Sequence, residues 1–402
     1  MIMTSVRGQE NLPRYFAQAF DLASKLNNGQ LDFILPDGRV FRVKGRNPGY
    51  AATLHAHDGD VFTRLVREGE LGFGDSFIEG GWSSPDLQAF LDLVQNDNED
   101  LYNGFPGMAL VRAYERMRFW LQSNSKRQAK KNISRHYDLG NAFYRLWLDD
   151  SMTYSAARFK TGRESTEKAQ ELKYESMVDQ MGVQPGDHVL EIGCGWGGFA
   201  QYAAGQRGLR VTGLTISQEQ HDFAVERIAR AGLSDRVDIR MQDYRDEKGC
   251  YDAIASIEMF EAVGEKYWPT YFDTVRRCLK PGKLATLQII TLAEHRYDKY
   301  RKGVDFIQKY IFPGGMLPSK TALRHEVGRA GLVVCNQIAF GESYSITLRR
   351  WHETFNAKWD QVAALGFDDR FRRMWNFYLT SCAAAFHSGN CDVIQVTLEN
   401  PG

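Results

Sequence analysis

Residues 189–199 read Val-Leu-Glu-Ile-Gly-Cys-Gly-Trp-Gly-Gly-Phe, and this stretch decides the fold class that the sequence predicts. Apolar residues lead to the acidic Glu191, a turn dense in glycine follows, and an apolar run after it can begin a helix. This order is typical of a buried parallel strand whose carboxyl end brings bare backbone against a ligand. Gly193 and Gly195 permit a positive φ and a close approach, since no Cβ stands in the way. An ordinary strand–turn–helix corner is the simpler alternative.

The glycines at 193, 195 and 198 also match the spacing G-x-G-x-x-G of dinucleotide-binding turns. That fingerprint expects an acidic residue about 20 residues later, at the end of the next strand, where it holds a ribose hydroxyl. The next predicted strand, residues 209–214, ends without a carboxylate, because Glu219 lies beyond it. The end of this strand also lacks an arginine that could bind a 2′-phosphate. A nicotinamide cofactor is therefore disfavoured.

The order Glu191-x-Gly193-x-Gly195 instead resembles the first motif of the S-adenosylmethionine-dependent methyltransferases. In that superfamily the acidic residue and the glycine turn lie along the amino-acid and ribose parts of the cofactor. The resemblance implies S-adenosyl-L-methionine as the cosubstrate of this chain.

The composition limits the protein class. The chain has 402 residues, enough for two domains, and 43% of them are hydrophobic, so a sizeable core is expected. The formal net charge is zero, which gives no general case for nucleic acid as a partner. The six cysteines show no C-x-x-C pair, so neither a metal site nor a disulfide framework is expected. Residues 1–16 lack the apolar core of a signal peptide, and no stretch reaches the ~18 apolar residues of a membrane span. We expect a cytoplasmic protein.

The pattern along the chain predicts three parts. Residues 1–110 mix strand-like and helical runs, with a hairpin signal at residues 35–39, and are expected to form a smaller N-terminal α+β domain. Residues 111–135 are expected to form a basic helical linker. Residues 136–402 contain the glycine turn and are expected to form the methyltransferase domain.

Apolar residues at helical spacing predict a helix over residues 108–135, and cations surround it. These cations are Arg112, Arg116, Arg118, Lys126, Arg127, Lys130, Lys131 and Arg135. On a chain of zero net charge they make a local positive patch. Such a patch fits either a solvated helix face or an anionic membrane surface.

Helix and strand patterns alternate from about residue 165 to residue 290. The predicted helices are residues 164–181, 199–207, 218–231 and 267–278, and the predicted strands are residues 189–192, 211–214, 237–241, 253–257 and 285–290. This alternation predicts an α/β fold with a doubly wound parallel sheet. The ligand is then expected outside the carboxyl ends of the strands, at the point where the strand order reverses.

Several segments together resemble one family, the cyclopropane fatty acid synthases, which act on phospholipids and have the mycolic acid cyclopropane synthases as relatives. The matching segments are residues 74–82, 136–141, 152–155, 191–198, 213–220, 242–246, 259–264 and 309–315. They cover nearly the whole chain in order. The resemblance implies an N-terminal lipid-associated domain and a methyltransferase domain whose inserted helices roof a fatty-acyl tunnel. Residues 304–317 are expected to form part of that roof.

The family's chemistry is carried over as an implication of this resemblance. There, the π bond of a cis-unsaturated acyl chain attacks the methyl group of S-adenosylmethionine, and a carbocation results. A bound bicarbonate, held by a Cys, a Glu, a His and a Tyr, takes a proton from the new methyl group, so that the ring closes. The resemblance therefore implies bicarbonate as a second bound molecule.

Two of the four side chains that hold bicarbonate in the family are replaced in this chain. The Cys position falls on Ala156 and the His position on Gln288, whereas the Glu and Tyr positions fall on Glu261 and Tyr344. These replacements put bicarbonate and cyclopropane formation in doubt, but not methyl transfer. A base that takes a proton from a neighbouring chain carbon gives a methyl- or methylene-branched chain. Glu261 and Glu258 are the candidates for that base, provided that they are buried.

The residues expected to bind the cofactor are Tyr154, Ser155, Glu191, Gly193, Gly195, Leu214, Thr215, Gln220, Gln242 and Asp243. The first two would close over the methionine part, Thr215 and Gln220 would replace the missing ribose carboxylate, and the last two would face the adenine. The residues expected to take part in the chemistry are Glu261, Tyr344 and Gln288, with His136 and Tyr137 lining the approach. A structural role for His136 is the simpler alternative. No metal ligand is expected.

The leading hypothesis is an S-adenosylmethionine-dependent C-methyltransferase that acts on the double bond of unsaturated acyl chains in phospholipids. Its product is a methyl-branched unsaturated chain or a cyclopropane. Two alternatives stay open: a methyltransferase of another small molecule or of a protein, and a catalytically silent lipid-binding protein. The expected partners are the phospholipid and an anionic membrane surface, at the inner face of the membrane, and not nucleic acid. A homodimer is left open.

Overall fold

The structure is a computed structural model that describes residues 2–96, 98, 101, 105, 113–117, 124–126, 128–129 and 139–402. The chain divides into two compact units. The first unit comprises residues 1–119, 302–311 and 348–390, and the second comprises residues 120–301, 312–347 and 391–402.

The strands of the described residues are numbered in chain order: β1 (Ile2–Met3), β2 (Asn28–Ile34), β3 (Val40–Lys44), β4 (Asn47–Ala56), β5 (Trp82–Ser83), β6 (His188–Ile192), β7 (Arg210–Thr215), β8 (Val237–Met241), β9 (Tyr251–Ile257), β10 (Leu279–Leu292), β11 (Val333–Ala339) and β12 (Cys391–Glu399). The helices are α1 (Phe16–Ala23), α2 (Asp60–Glu68), α3 (Glu70–Ile78), α4 (Leu87–Gln95), α5 (Asn141–Trp147), α6 (Thr166–Met181), α7 (Gly198–Arg207), α8 (Gln218–Arg230), α9 (Trp268–Cys278), α10 (Glu294–Lys302), α11 (Phe306–Tyr310), α12 (Lys320–Arg329), α13 (Gly341–Ala357), α14 (Trp359–Ala364) and α15 (Asp369–His387). Short 3-10 turns occur at Tyr244–Asp246, Phe260–Ala262 and Glu265–Tyr267.

The first unit is built on a five-stranded sheet in the order β1-β3-β2-β4-β5. The hairpin predicted at residues 35–39 is present: β2 and β3 are antiparallel, and Leu35 donates its N–H to the carbonyl of Arg39 at 2.9 Å. Aromatic rings fill the core beneath this hairpin, with the Phe16 and Phe41 centroids 4.9 Å apart. The N-terminal part of the chain is therefore a folded α+β structure.

The second unit is built on a seven-stranded sheet in the order β11-β12-β10-β9-β6-β7-β8. The strands β10, β9, β6, β7 and β8 are mutually parallel, while β12 runs antiparallel to β10 and to β11. The strand order reverses beside β6, since β7 and β8 lie on one side of it and β9 on the other. The ends of β6 and β9 are therefore where a ligand is expected.

Both faces of this sheet are buried. Along β6, Val189 packs into a core with Met177 and Phe199, whereas Leu190 packs into a second core with Phe272. Successive residues of a strand point to opposite faces, so two apolar residues in a row require helices on both sides. This is the doubly wound arrangement that the sequence predicts.

The α/β fold class is confirmed, with one correction to the sheet. The predicted strands stop at residue 290, and β11 and β12 were missed, so the sheet is not wholly parallel. The missing strands have a physical reason: β12 finds its partner β10 more than a hundred residues away, with Gln395 opposite Gln288. Such a long-range pairing leaves no local mark on the sequence.

The compact units differ from the predicted parts at residues 110 and 135. Residues 302–311 and 348–390 belong to the first unit, although the prediction placed them with the methyltransferase domain. The reason is packing: α15 lies against α3 and α4 of the N-terminal segment. In the predicted helix over residues 108–135, residues 113–117 are helical. Arg116 and Lys126 are the two members of the basic patch among the described residues, and the other six lie outside them.

Candidate active site

The glycine turn follows β6 and has two kinds of glycine. Gly193 has φ +83°, and a Cβ there would meet Cγ of Met259 at 2.6 Å, so protein packing excludes a larger residue. Gly195 has φ +51°, and a Cβ there would have no atom of the described residues within 4 Å. The backbone at Gly195 is therefore the part of the turn that can meet a ligand.

Glu191 lies at the end of β6 and is 2% exposed. No described residue hydrogen-bonds its Oε2. Burial raises the pKa of this carboxyl to about 8, against the opposing charge of Lys173. A buried acid with an unsatisfied oxygen needs an explanation, and a bound donor group is the simplest one.

The loop after β7 is ordered by its own side chains. The Thr215 hydroxyl donates to Oε1 of Gln220 at 3.0 Å, and Ser217 caps α8 by accepting from the Gln220 N–H. Both Thr215 and Gln220 are 5% exposed. Leu214 takes part through its backbone, because its carbonyl accepts the N–H groups of Gly193 and Cys194, while its side chain lies in the core. The predicted cofactor residues of β6 and β7 are thus neighbours.

Gln242 and Asp243 follow β8 and are already engaged within the protein. The Gln242 amide donates to Oε2 of Glu247 at 2.9 Å. Asp243 binds Arg245 through both carboxylate oxygens, at 2.8 and 2.7 Å. Burial alone would raise the pKa of Asp243, but the hydrogen bonds from Arg245 outweigh it and lower that pKa. That Gln242 and Asp243 face an adenine stays a prediction.

Residues 153–155 are held against α6. Gln170 donates to the carbonyl of Ser155 at 3.1 Å, and Lys173 donates to the Ser155 hydroxyl at 2.7 Å. The Tyr174 hydroxyl shares a hydrogen bond of 2.6 Å with Thr153. The segment predicted to close over the methionine part therefore rests on three side chains of one helix.

The ring of Tyr154 lies in an aromatic group. Its centroid is 5.4 Å from that of Tyr144, 5.5 Å from that of Trp147 and 6.4 Å from that of Phe312. Phe312 belongs to the segment predicted to roof the acyl chain. One wall of the site is thus aromatic and apolar.

Glu258, directly after β9, is the centre of a hydrogen-bond cluster. Its Oε1 accepts the backbone N–H of Ala156 and the Gln288 amide, both at 2.8 Å, and its Oε2 accepts the Tyr344 hydroxyl at 2.7 Å. Burial raises the pKa of Glu258, while the charge of Lys173 and these hydrogen bonds oppose the rise. Three donors from three separate segments therefore converge on one carboxylate.

Glu261 lies in the next 3-10 turn and differs from Glu258. Its Oε1 accepts the N–H of Ile290, but no described residue hydrogen-bonds its Oε2. Burial and the nearby charge of Glu258 raise the pKa of Glu261 to about 8. With a pKa of about 8, Glu261 holds its proton at neutral pH.

Gln288 is fully buried in β10, and Gln395 on the neighbouring strand β12 holds its side chain in one orientation. Its Oε1 accepts from the amide of Gln395 at 3.1 Å, which turns its own amide N–H toward Glu258. Gln395 in turn accepts from Ser176 at 2.6 Å and from Gln180 at 2.8 Å. Ala156, at the position of the family's Cys, contributes its backbone N–H to Glu258.

The structure brings most of the predicted chemical residues together. Glu261, Gln288 and Tyr344 all lie around Glu258, which the prediction treated as a secondary candidate. His136 and Tyr137 lie outside the described residues. Lys173, Gln170 and Gln395 were missed, although one signal was present: Lys173 stands between Ala169 and Met177 on the apolar face of a helix. A lysine on such a face requires a partner in the interior.

Comparison with known proteins decides the family. The family described as "Mycolic acid cyclopropane synthetase" matches residues 124–396 of the chain. The chain belongs to this family. It is 38% identical to tuberculostearic acid methyltransferase UfaA1 of Mycobacterium tuberculosis, over 88% of this chain and 84% of the relative. It is 37% identical to the cyclopropane-fatty-acyl-phospholipid synthase of Escherichia coli K12, over 90% of this chain and 94% of the relative.

Solved structures agree with this family. Mycolic acid cyclopropane synthase CmaA1, crystallised as a complex with SAH and CTAB, is 29% identical to this chain. The match covers 67% of this chain and 97% of that one, with a TM-score of 0.63. Coclaurine N-methyltransferase, at 17% identity and a TM-score of 0.64, shares the fold. Among the described residues, no helix is both long and apolar enough to cross a membrane.

Proposed function

We propose that this protein transfers the methyl group of S-adenosylmethionine to the double bond of an unsaturated acyl chain in a phospholipid, and that the product is a methyl-branched unsaturated chain. As a member of its family, the chain is an S-adenosylmethionine-dependent methyltransferase of lipids. The phospholipid acceptor follows the name of the E. coli relative, whereas the M. tuberculosis relative is named as a methyltransferase and not as a cyclopropane synthase. One observation carries the proposal: the carboxylate of Glu258 and its three donors supply a base that belongs to the protein.

The residues at the ends of β6 and β7 fit this donor. Oε2 of Glu191 is buried without a described partner, as expected of a group that accepts from the amino group of a bound amino acid. The open face of Gly195 admits the ligand against the backbone. Thr215 and Gln220 are ordered next to this turn and can hold hydroxyl groups. When bound, S-adenosylmethionine supplies a methyl group on a cationic sulfur.

Glu258 is proposed as the base. Its carboxylate accepts the Ala156 N–H, the Gln288 amide and the Tyr344 hydroxyl, so the positions that hold bicarbonate in the family are here turned toward a side chain of the protein. Hydrogen bonds to a carboxylate favour its ionised form, which is the form that accepts a proton. No separate bicarbonate is then needed. Glu261, whose pKa is about 8, would act as a neutral neighbour.

The reaction follows from this arrangement. The π electrons of the acyl chain form a bond to the methyl carbon, the sulfur–carbon bond breaks, and its electron pair stays on sulfur. The acyl chain now carries a positive charge next to the new branch. Glu258 takes a proton from a carbon beside that charge, and the electrons of the broken C–H bond form a new double bond. The chain is left branched and unsaturated, with the proton on Glu258.

Cyclopropane formation is the second candidate, because the E. coli relative is a cyclopropane synthase and is 37% identical. It would require Glu258 to take its proton from the new methyl group, with ring closure in place of a new double bond. The two products have the same mass but different chromatographic behaviour. The product therefore has to be identified directly.

The test is an assay with labelled S-adenosylmethionine and vesicles of a cis-monounsaturated phospholipid, followed by gas chromatography and mass spectrometry of the acyl chains. We expect label in a branched unsaturated chain. Glu258→Gln keeps the size of the side chain but cannot take the proton, so turnover should fall by about 10²-fold or more. Glu265→Gln, at an exposed glutamate of the same unit paired with Arg301, is the matched control and should keep full turnover.

A third variant separates the roles of the side chain and of bicarbonate. Glu258→Gly removes the carboxylate and suits a backbone φ of +49°. Added bicarbonate should restore part of the turnover of this variant and leave the wild type unchanged. A wild type that needs bicarbonate would overturn the proposed base, and a wild type that makes only cyclopropane would overturn the proposed product. Label in no lipid at all would overturn the proposed function.

A further inference from the structure

Lys173 is the least expected side chain of the second unit. It lies on α6 and is fully buried, at 0% exposure. Its ammonium donates to the Ser155 hydroxyl at 2.7 Å and lies 4.8 Å from the centroid of the Tyr174 ring. It forms no salt bridge to a carboxylate of the described residues. A buried cation without a direct counter-ion is costly, so its position calls for a reason beyond packing.

Acidic groups surround Lys173 without touching it. Burial lowers the pKa of Lys173 to about 7, and the charges of Glu258, Asp149 and Glu191 oppose this fall. These acids come from the end of β9, from the turn after α5 and from the end of β6. Lys173 is thus within electrostatic reach of acidic groups from three separate elements of the second unit.

The hydrogen bond to Ser155 has a direct consequence. Since the ammonium donates to the oxygen of the hydroxyl, the hydroxyl hydrogen of Ser155 has to point elsewhere. No described residue accepts that hydrogen. At the same time Gln170 holds the carbonyl of Ser155 at 3.1 Å, so the backbone of this residue is fixed as well. Ser155 is therefore oriented to donate to a group that the described residues do not supply.

We propose that Lys173 is a positioning residue, which holds Ser155 so that its hydroxyl donates to the carboxylate of the methionine part of S-adenosylmethionine. This inference rests on the proposed function, in which residues 154 and 155 close over that part of the cosubstrate. In its protonated form, Lys173 favours an anionic group beside Ser155 over a neutral one. Lys173 acts through Ser155 and does not touch the reacting atoms.

The test compares two ligands by calorimetric titration. S-adenosylhomocysteine carries the amino-acid part, whereas 5′-methylthioadenosine lacks it but keeps the adenosine and the sulfur. For Lys173→Met we expect binding of S-adenosylhomocysteine to weaken about tenfold or more, the size of one charge-assisted hydrogen bond. Binding of 5′-methylthioadenosine should stay within about twofold of the wild type. A merely structural lysine would not make this distinction.

Further variants test whether Lys173 affects ligand binding through Ser155. Lys173→Gln keeps an N–H donor for Ser155 and should lose less affinity than Lys173→Met. Ser155→Ala should reproduce the loss, and its combination with Lys173→Met should add little to it, because both changes remove one interaction. Lys168→Met is the matched control on the same helix, since Lys168 is exposed and pairs with Glu171, and it should bind both ligands like the wild type.

The outcomes separate this inference from the proposed function. Equal weakening of both ligands, or Lys173 variants that all fail to fold, would make Lys173 a structural residue and overturn the inference, while the proposed function stands. Full additivity of the Lys173 and Ser155 changes would also overturn it. A wild-type protein that binds neither ligand would overturn the proposed function itself.

Discussion

Glu258 occupies a backbone conformation that a glutamate disfavours. Its φ is +49°, and Met152, just before the segment that carries Tyr154 and Ser155, has φ +52°. A residue with a Cβ is less stable in this region by about 1–2 kcal/mol. In the second unit these are the two positive-φ residues other than glycine among those described, and both lie at the candidate site. At Glu258 the strain is offset by three hydrogen bonds to the carboxylate, so the backbone is adapted to the position of that group.

The first prediction concerns the residue whose backbone meets the ligand. Gly195→Ala adds a Cβ that no described atom excludes, so the fold should be kept, but this Cβ would occupy the side from which the cosubstrate approaches. We expect binding of S-adenosylhomocysteine to fall by about tenfold or more and Gly195→Val to abolish it. Calorimetric titration measures both.

Gly232 provides the matched control for this prediction. It has φ +67°, and a Cβ there would also meet no described atom within 4 Å, but it lies after α8 and away from the glycine turn. Gly232→Ala should thus carry the same backbone strain without loss of affinity. If the Gly195 and Gly232 variants bind S-adenosylhomocysteine with equal affinity, the glycine turn is not part of the binding site.

The second prediction uses the proton held by Glu261. Its pKa is about 8 in the folded protein, whereas an unfolded glutamate has a pKa of about 4.3. Between these values the folded state binds a proton that the unfolded state has lost, so the free energy of unfolding falls as the pH rises. Glu261→Gln is neutral at every pH and removes this contribution. The stability of the variant relative to the wild type should therefore increase from pH 5 to pH 8.5.

Thermal unfolding without cosubstrate at three pH values measures this difference. Glu265→Gln, in the following turn and partly exposed, is the matched control and should not show this increase in stability relative to the wild type. Glu191 keeps a pH dependence of the same sign in all three proteins, because its pKa is also raised to about 8. A constant difference between Glu261→Gln and the wild type would mean that Glu261 is ionised in the folded protein.

At the scale of elements, α6 and β12 mark the limit of what the sequence can predict. The helix α6 was predicted within two residues, because its apolar spacing is local, but its side chains Gln170, Lys173 and Tyr174 meet the site only in three dimensions. Strand β12 places Gln395 behind Gln288 by antiparallel pairing with β10. Glycine turns and carboxylates at strand ends can be read from spacing, whereas supporting contacts across the sheet cannot.

The third prediction concerns α3 and α11 of the first unit. Asp75 on α3 accepts from Lys309 at 2.7 Å and from the Tyr310 hydroxyl at 2.6 Å, and α11 has only five residues, too few to be stable alone. Asp75→Asn should weaken this attachment by about 1–3 kcal/mol. We expect faster amide hydrogen exchange over residues 306–311, measured by mass spectrometry.

Asp32→Asn is the control for the attachment of α11. Asp32 also forms a bidentate ion pair, with Arg42, in the same unit, and its side chain is similarly buried, at 15% against 12% exposure. The Asp32→Asn variant should leave the amide hydrogen exchange of residues 306–311 unchanged. Unchanged exchange in Asp75→Asn as well would mean that packing, such as that of Phe306 on Phe377, holds α11 without the ion pair.

At the scale of the whole molecule, the two units interleave along the chain. Residues 302–311 and 348–390 return to the first unit after the chain has formed most of the second sheet. A prediction from the sequence places residues that are neighbours along the chain in one domain. Only the packing of α15 on α3 and α4 shows that residues 348–390 belong to the first unit. The family resemblance supplied the activity, but it carried no information about this division.

The last prediction concerns the binding of the whole molecule to an anionic membrane, which we expect from its local positive charge. The chain has no net charge, so attraction to anionic lipid has to come from a local patch, and the cations at residues 112–135 are the candidate. Each cation near an anionic surface contributes about 1 kcal/mol at moderate salt. Replacing Lys130, Lys131 and Arg135 by glutamine should therefore weaken cosedimentation with anionic vesicles about 100-fold, and raising the salt should weaken that of the wild type. Lys168 is an exposed cation outside residues 112–135 and pairs with Glu171, so Lys168→Gln should have little effect and serves as the control. Vesicle binding that is indifferent both to salt and to the triple replacement would place the membrane contact elsewhere on the protein.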